Sequence, residues 1–335
     1  MKVKLFFRLA NSSFDLPVIP AYNRLPMSLS TNFNPNLITD LQFFLQTAKT
    51  PLVIILGPTA SGKTAASIKI AKLINGEIIS TDSRQLYKGM EIGTESIPEN
   101  ERRNIPHHMI GVTTPDKPLT LAEYKDLTTQ KIAEIHTRKK IPMLVGGTGL
   151  YISAIIDAYD LPSIPPDKKF REKLEKEAKK NGSKFLHEKL QKIDPAAAAT
   201  IHPNNLPYII RALEINHITG RNKKTAKSKS PYDIFIIGMD QPRAKLYERI
   251  NNRVNLQIEK GLVDEVKKLL AAGYKEYLPA MSSLGVKEII PYIEGEKSLG
   301  ECVEILQKNT RHYAKRQMTW FRRYDNVRWI SPDKL

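Results

Sequence analysis

The chain has 335 residues, 41% hydrophobic and 26% charged, ordinary values for a globular protein long enough for more than one structural unit. No apolar stretch approaches the roughly 20 residues that span a bilayer, which argues against a membrane protein. The single cysteine, Cys302, excludes an internal disulfide or a cysteine-based metal cluster and reads as a small buried apolar residue. A formal net charge of +17 suits a polyanionic partner, nucleic acid foremost, although lysine-rich genomes also yield basic proteins. Together these features predict a cytoplasmic protein.

Residues 1–50 differ from the rest. Between Met1 and Thr39 the only acid is Asp15, against Lys2, Lys4, Arg8 and Arg24, and prolines 17, 20, 26 and 35 accompany no sustained periodicity. The segment reads as a partly disordered N-terminal extension. A start at Met27 or a cleaved targeting peptide stays open.

The apolar run Leu52–Leu56 suits a buried parallel strand, and Ala65–Leu73 suits a helix. Between them stands Gly57-Pro58-Thr59-Ala60-Ser61-Gly62-Lys63-Thr64, the strand–loop–helix context of a phosphate-binding P-loop. Its glycines let successive N–H groups face an anion, Lys63 adds a full positive charge, and the Thr64 hydroxyl can ligate Mg²⁺. The loop is therefore predicted to bind a di- or triphosphate.

Further predicted strands are 77–80, 141–145 and 234–237. Alternating with helices, they indicate an α/β fold: a P-loop parallel-sheet core with a helical insertion domain. Asp82 follows the strand at 77–80 and precedes Ser83-Arg84-Gln85-Leu86-Tyr87. A strand-end loop of an open α/β sheet faces the ligand crevice, which places Asp82 for chemistry; capping the next turn is its alternative role. His107 and His108 follow Pro106 without further nearby ligands and read as structural. The strand at 141–145 runs into Gly146-Gly147-Thr148. Residues 163–231 are Lys/Glu/Ala-rich with helical spacing and form the predicted insertion, set into a core of 51–162 and 232–330. Within it, Asp167–Lys180 is a charged helix read chiefly as a solvated face. Arg221–Lys229 is a basic loop suited to phosphate attraction or to a plain linker. Beyond it Leu246, Ile250 and Val254 repeat every four residues. Arg311–Arg323 carries five Lys/Arg and no acid, with Tyr313, Arg316, Gln317 and Trp320 on one helical face. That face suits RNA phosphates or a charged tunnel, and its aromatics also suit a core.

The ordered set Gly57–Thr64, Asp82–Tyr87, Gly93-Thr94, Pro106-His107-His108, Val145–Tyr151, His202-Pro203-Asn204, Arg211–Glu214 and Lys315–Arg322 resembles the tRNA dimethylallyltransferase (isopentenyltransferase) family of bacterial type, over roughly residues 51–330. The resemblance implies transfer of a dimethylallyl group from its diphosphate to N6 of adenine 37, beside the anticodon, in tRNAs reading codons that begin with U. The P-loop would then hold prenyl diphosphate with Mg²⁺ at Thr64. Asp82 would accept the amine proton, Lys63 would stabilise the leaving diphosphate, and Thr148 would bond near the bridging oxygen. The anticodon stem-loop would be contacted by Asp82, Ser83, Arg84, Gln85, Thr148, Arg171, the segment Pro207-Tyr208-Ile209-Ile210-Arg211, Arg316 and Gln317. The segment Ser282–Lys287 departs from the family pattern at Leu284 and Val286, which leaves its contact open. The implied enzyme is a monomer with no obligate protein partner. The alternatives are a prenyltransferase acting on free adenine nucleotides and a P-loop small-molecule kinase.

Overall fold

The computed structural model describes residues 35–158, 167–220 and 229–334. The N-terminal segment up to residue 34, the boundary near 162–163 and most of the basic loop at 221–229 lie outside the described residues.

Six parallel strands form one sheet: β1 (Pro51–Leu56), β2 (Gly76–Ser80), β3 (His107–His108), β4 (Ile141–Gly146), β5 (Asp233–Met239) and β6 (Val327–Ile330). Their spatial order is β3-β2-β4-β1-β5-β6. Every residue of β1 is buried, because helices cover both faces of the sheet. Its side chains alternate between those faces. Val53 and Ile55 pack with Ala66 and Ile70 of α2 (Lys63–Ile74). Leu52, Ile54 and Leu56 pack with α3 (Leu121–Thr137) and α4 (Gly149–Ile156). A Thr120–Glu123 capping box starts α3. The two short strands β3 and β6, not anticipated from sequence, complete the sheet edges.

The reading of residues 1–50 as an extension needs correction at its end. Pro35–Thr47 is a helix, α1, whose Leu37, Leu41 and Leu45 recur at four-residue intervals and are buried in the first core face. Phe44 adds a ring contact to Phe235 at 5.3 Å. Three leucines in a proline-flanked segment are too short a pattern to stand out against the polar residues around them.

Four helices follow the core's first half: α5 (Lys168–Asn181), α6 (Ser183–Ile193), α7 (Pro195–Thr200) and α8 (Leu206–Thr219). They share an apolar cluster of their own, with Leu174, Leu186, Leu190, Ile209 and Leu213 at its centre. This is the helical insertion. The chain returns through β5 to α9 (Arg243–Glu259), α10 (Leu262–Ala271), α11 (Val286–Ile293) and α12 (Leu299–Phe321). A third cluster, including Val254, Leu262, Ile289, Cys302 and Leu306, holds these helices together.

Leu41 is fully buried in α1, whereas its neighbour Phe43 is 67% exposed. Leu41→Ala should therefore lower unfolding stability in urea by about 2–4 kcal/mol, and Phe43→Ala by no more than about 0.5 kcal/mol. Equal, small effects would mean that α1 does not belong to the cooperative core.

Candidate active site

The P-loop leaves β1 at Gly57, where an added Cβ would meet the Met239 carbonyl oxygen at 2.8 Å. Gly62 caps α2 in the left-handed region, at φ +89°, a conformation that suits glycine. The first turn of α2 holds no acidic side chain and Gly62 offers none to cap it. Its leading N–H groups, which helix geometry leaves without intrahelical partners, are thus available to an anion. Lys63 Nζ donates to the Pro58 carbonyl within the loop at 2.7 Å.

Asp82 and Thr148 reach the same edge because β1, β2 and β4 run parallel and each loop leaves its C-terminal end. The Thr81 N–H donates to Val145 and the Thr148 N–H to Thr81, at 2.8 and 3.1 Å. Asp82 Oδ1 accepts the Arg84 N–H at 2.9 Å, so the residue does cap its turn. Oδ2 has no protein partner among the described residues. Thr148 Oγ1 accepts the Ser83 N–H at 3.0 Å.

Two cavities meet here. One, of about 980 Å³, contains Lys63, Thr64, Lys69 and Lys72 of α2. The other, of about 380 Å³, contains Ser83, Arg84, Thr148, Lys287, Tyr313 and Arg316. Thr59, Asp82, Thr94 and Arg253 line both. Asp82 therefore stands at the junction of a phosphate cradle and a second, basic opening.

Burial and the neighbouring Arg253 guanidinium pull the Lys63 ammonium down to about 7, against the opposing pull of Asp82. Burial likewise lowers Arg253, with Glu95 and Asp82 opposing it. Burial and the Asp82 carboxylate push the Tyr313 phenol up to about 12. Arg253 was not anticipated. It lies on α9 beside the Leu246–Ile250–Val254 stripe, and a search for polar residues flanking that stripe finds it.

The remaining expected residues divide. Arg316 lies over the Tyr313 ring at 5.8 Å and lines the smaller cavity with Ser282, Ser283, Leu284 and Lys287. Arg84 donates to the Pro279 carbonyl and, at 3.4 Å, to Ser282 Oγ, tying that segment to the Asp82 loop. Gln85 does not offer a free amide for reading a base. Its Oε1 accepts from Ser80 at 2.8 Å and its Nε2 donates to Thr94 and Glu95 carbonyls, so the side chain holds loops together. Gln317 is 5% exposed and equally engaged: it accepts the Thr59 N–H at 2.8 Å and donates to the Gly147 carbonyl at 2.9 Å. Both ends of its amide are spent inside the protein.

In the insertion, Ile209 and Ile210 turn their side chains into the core, at 0% and 5% exposure, while Pro207 and Tyr208 are exposed. Arg171 and Arg211 lie side by side on the buried Glu214 carboxylate, with N···O distances of 2.6–2.8 Å. Neither arginine lines the two cavities.

Thr64 and Asp82 face the larger cavity with hard oxygen donors. No group of three or more His, Cys, Asp or Glu among the described residues is placed to hold a metal. A cation at Thr64 would draw its other ligands from water and phosphate oxygens. That donor set fits Mg²⁺.

Comparison with known proteins agrees with this geometry. The family model described as IPP transferase matches residues 85–324, and the one described as isopentenyl transferase matches residues 50–110. A tRNA dimethylallyltransferase of Acetivibrio thermocellus is 48% identical over 85% of this chain and 92% of its own length. Among solved structures, the tRNA isopentenylpyrophosphate transferase of Bacillus halodurans aligns at 46% identity with a TM-score of 0.64, covering 85% of this chain and 90% of that one. A eukaryotic dimethylallyltransferase acting on tRNA aligns at 28% identity and TM-score 0.70, covering 81% and 70%. The chain belongs to the IPP transferase family, the tRNA dimethylallyltransferases.

Proposed function

We propose that this chain transfers the dimethylallyl group of dimethylallyl diphosphate to N6 of adenine 37 in tRNAs that read codons beginning with U, releasing diphosphate. The observation that carries the proposal is the position of Asp82, at the meeting point of the phosphate cradle and the basic cavity. The diphosphate occupies the loop Gly57–Thr64, and the adenine enters past Arg84, Tyr313 and Arg316. Such a base must leave its stack, and an anticodon loop lowers the cost of doing so.

The exocyclic nitrogen attacks the allylic carbon as the carbon–oxygen bond to diphosphate breaks. The amine is weakly nucleophilic because its lone pair is delocalised into the ring. Asp82 Oδ2 accepts its proton, which passes to the carboxylate as the carbon–nitrogen bond forms. Charge grows on the departing oxygen, where the α2 N–H groups, Lys63 and Arg253 stabilise it and the Thr148 hydroxyl donates nearby. The Thr64 hydroxyl would help hold Mg²⁺, which would supply further neutralisation of the leaving group. Arg316, Arg84 and Lys287 meet RNA phosphates around the opening. Arg171 and Arg211 extend that contact along the insertion. We take the enzyme to act as a monomer in the cytoplasm.

Transfer of radiolabelled dimethylallyl diphosphate to unmodified tRNA, with AMP and ATP as parallel acceptors, tests the reading. Label should enter tRNA and be lost when adenine 37 is replaced. Label in AMP alone would assign the chain to free nucleotides, and none in any acceptor would return the loop to kinase chemistry. Asp82→Asn should lower kcat about 10²–10⁴-fold while inorganic diphosphate and tRNA still bind. Wild-type turnover by that variant would remove Asp82 as the base.

The depressed Lys63 ammonium makes a separate prediction. In the empty cradle Lys63 is largely neutral above about pH 7, and a bound anion raises its pKa. Diphosphate binding at about pH 8 should therefore take up close to one proton more in the wild type than in Lys63→Met, and less of this excess at about pH 6. Affinity should fall as pH rises above about 7. Calorimetry in two buffers of different ionisation enthalpy measures the proton count; no difference from Lys63→Met would mean that Lys63 stays charged in the empty site.

A further inference from the structure

The amide of Gln317 uses both its ends, and both partners belong to the site. Its Oε1 takes the Thr59 N–H of the P-loop and its Nε2 donates to Gly147, the residue before Thr148. Loops leaving the adjacent strands β1 and β4 are thus bridged by one side chain from the C-terminal helix α12. Gly147 makes room for it, since a Cβ there would collide with Gln317 Nε2. Tyr313, one turn earlier on α12, and the adjacent Arg316 line the smaller cavity; about one turn later, Trp320 Nε1 donates to Ser153 Oγ of α4 at 3.3 Å.

The Thr59 N–H shares its peptide unit with the Pro58 carbonyl. That carbonyl accepts Lys63 Nζ at 2.7 Å and the Ser61 N–H at 3.3 Å. Gln317 therefore fixes the plane of the one peptide on which the cradle's lysine rests. Without the amide, this peptide keeps only the long Ser61 bond within the loop and its contact with Lys63, so the lysine's seat loosens and the loop must order itself further when an anion enters.

Resting on the reading of the cradle as a diphosphate site, we infer that Gln317 is a positioning residue for diphosphate rather than an RNA contact, and that it acts through the Pro58–Thr59 peptide and Lys63. Its neutrality suits the place. A carboxylate could take the Thr59 N–H equally well but would set a negative charge beside the leaving group.

Gln317→Met keeps the side chain's length and removes both hydrogen bonds. It should weaken binding of inorganic diphosphate, and raise KM for dimethylallyl diphosphate, roughly tenfold, the effect of one or two hydrogen bonds. tRNA affinity measured without diphosphate should stay within about twofold. Gln317→Glu keeps the acceptor and adds a charge, so it should weaken diphosphate further and again spare tRNA. Arg316→Ala should show the opposite split, and melting temperatures establish that each variant is folded. Diphosphate affinity unchanged in both Gln317 variants, or a loss confined to tRNA, would overturn the inference. Because inorganic diphosphate binding needs no acceptor, this result stands apart from whether tRNA or a free nucleotide receives the prenyl group, which the transfer assay on wild-type protein decides.

Discussion

The site depends on one constraint, the parallel pairing of β2, β4 and β1 in register. Ser80 and Ile55 both pair with Val145, and Leu56 pairs with Gly146. The three loops consequently leave the sheet at one level, on strands spaced about 4.8 Å apart. The P-loop lies about one strand spacing from the Thr148 turn and about two from the Asp82 turn. Those separations match a diphosphate lying beside the first and an acceptor base approaching past the second. A slip of a single residue in this pairing would displace the acid from the cradle, so catalytic geometry is inherited from the backbone ladder before any side chain is chosen.

Around that edge the protein divides labour by charge. Basic groups face the space a phosphate would fill: Lys63 and Arg253, both disfavoured as charges by burial. The walls are held largely by neutral amides. Gln85 secures the Thr94–Glu95 loop, Gln257 donates to the Ile92 and Gly93 carbonyls, and Gln317 spans the P-loop and Gly147. Carboxylates in those three positions could accept hydrogen bonds but would repel the ligand. Where a carboxylate does serve, Glu265 accepts the Ile92 and Gly93 N–H groups at 2.7 and 2.8 Å, and burial holds its pKa above the usual range. Buried basic groups of this kind gain most when an anion enters, an arrangement that favours diphosphate over water.

The sheet core was legible because its signals are local. Strands covered on both faces read as unbroken apolar runs, and the P-loop's residue types are dictated by backbone geometry within eight positions. Asp82 and Thr148 were legible as strand ends. What could not be read was which polar side chains are spent inside the protein. Gln85 and Gln317 sit in segments that match the family's RNA-contacting motifs, yet their amides close on carbonyls and N–H groups brought near only by folding. Ile209 and Ile210 fall in such a motif as well and turn inward to the insertion's core. Arg253 was missed for the converse reason: the apolar stripe beside it marks a helix but not a site, and the cavity that gives it a role is formed by distant segments. β3 and β6, two and four residues long, lack the length to show a pattern.

The insertion also holds its cations on a buried acid. Glu214 is wholly buried, and burial alone would raise its pKa; hydrogen bonds from Arg171, Arg211 and the Asp167 N–H reverse that and hold it below the usual carboxylate range. A buried carboxylate adds little stability that apolar packing could not supply. What it does supply is order. Two long side chains from α5 and α8 are fixed on one carboxylate, so their rotamer entropy is lost on folding and not on binding. Glu77 of β2 does comparable work in the sheet, gathering Arg138, His108 and Lys140 around one buried acid. In a chain of net charge +17, buried acids of this kind keep part of the positive surface rigid. Rigid cations discriminate among RNA shapes, whereas mobile ones attract any phosphate. In the proposed complex, the anchored pair on Glu214 would therefore bear more on which RNA is selected than on how strongly RNA in general is held.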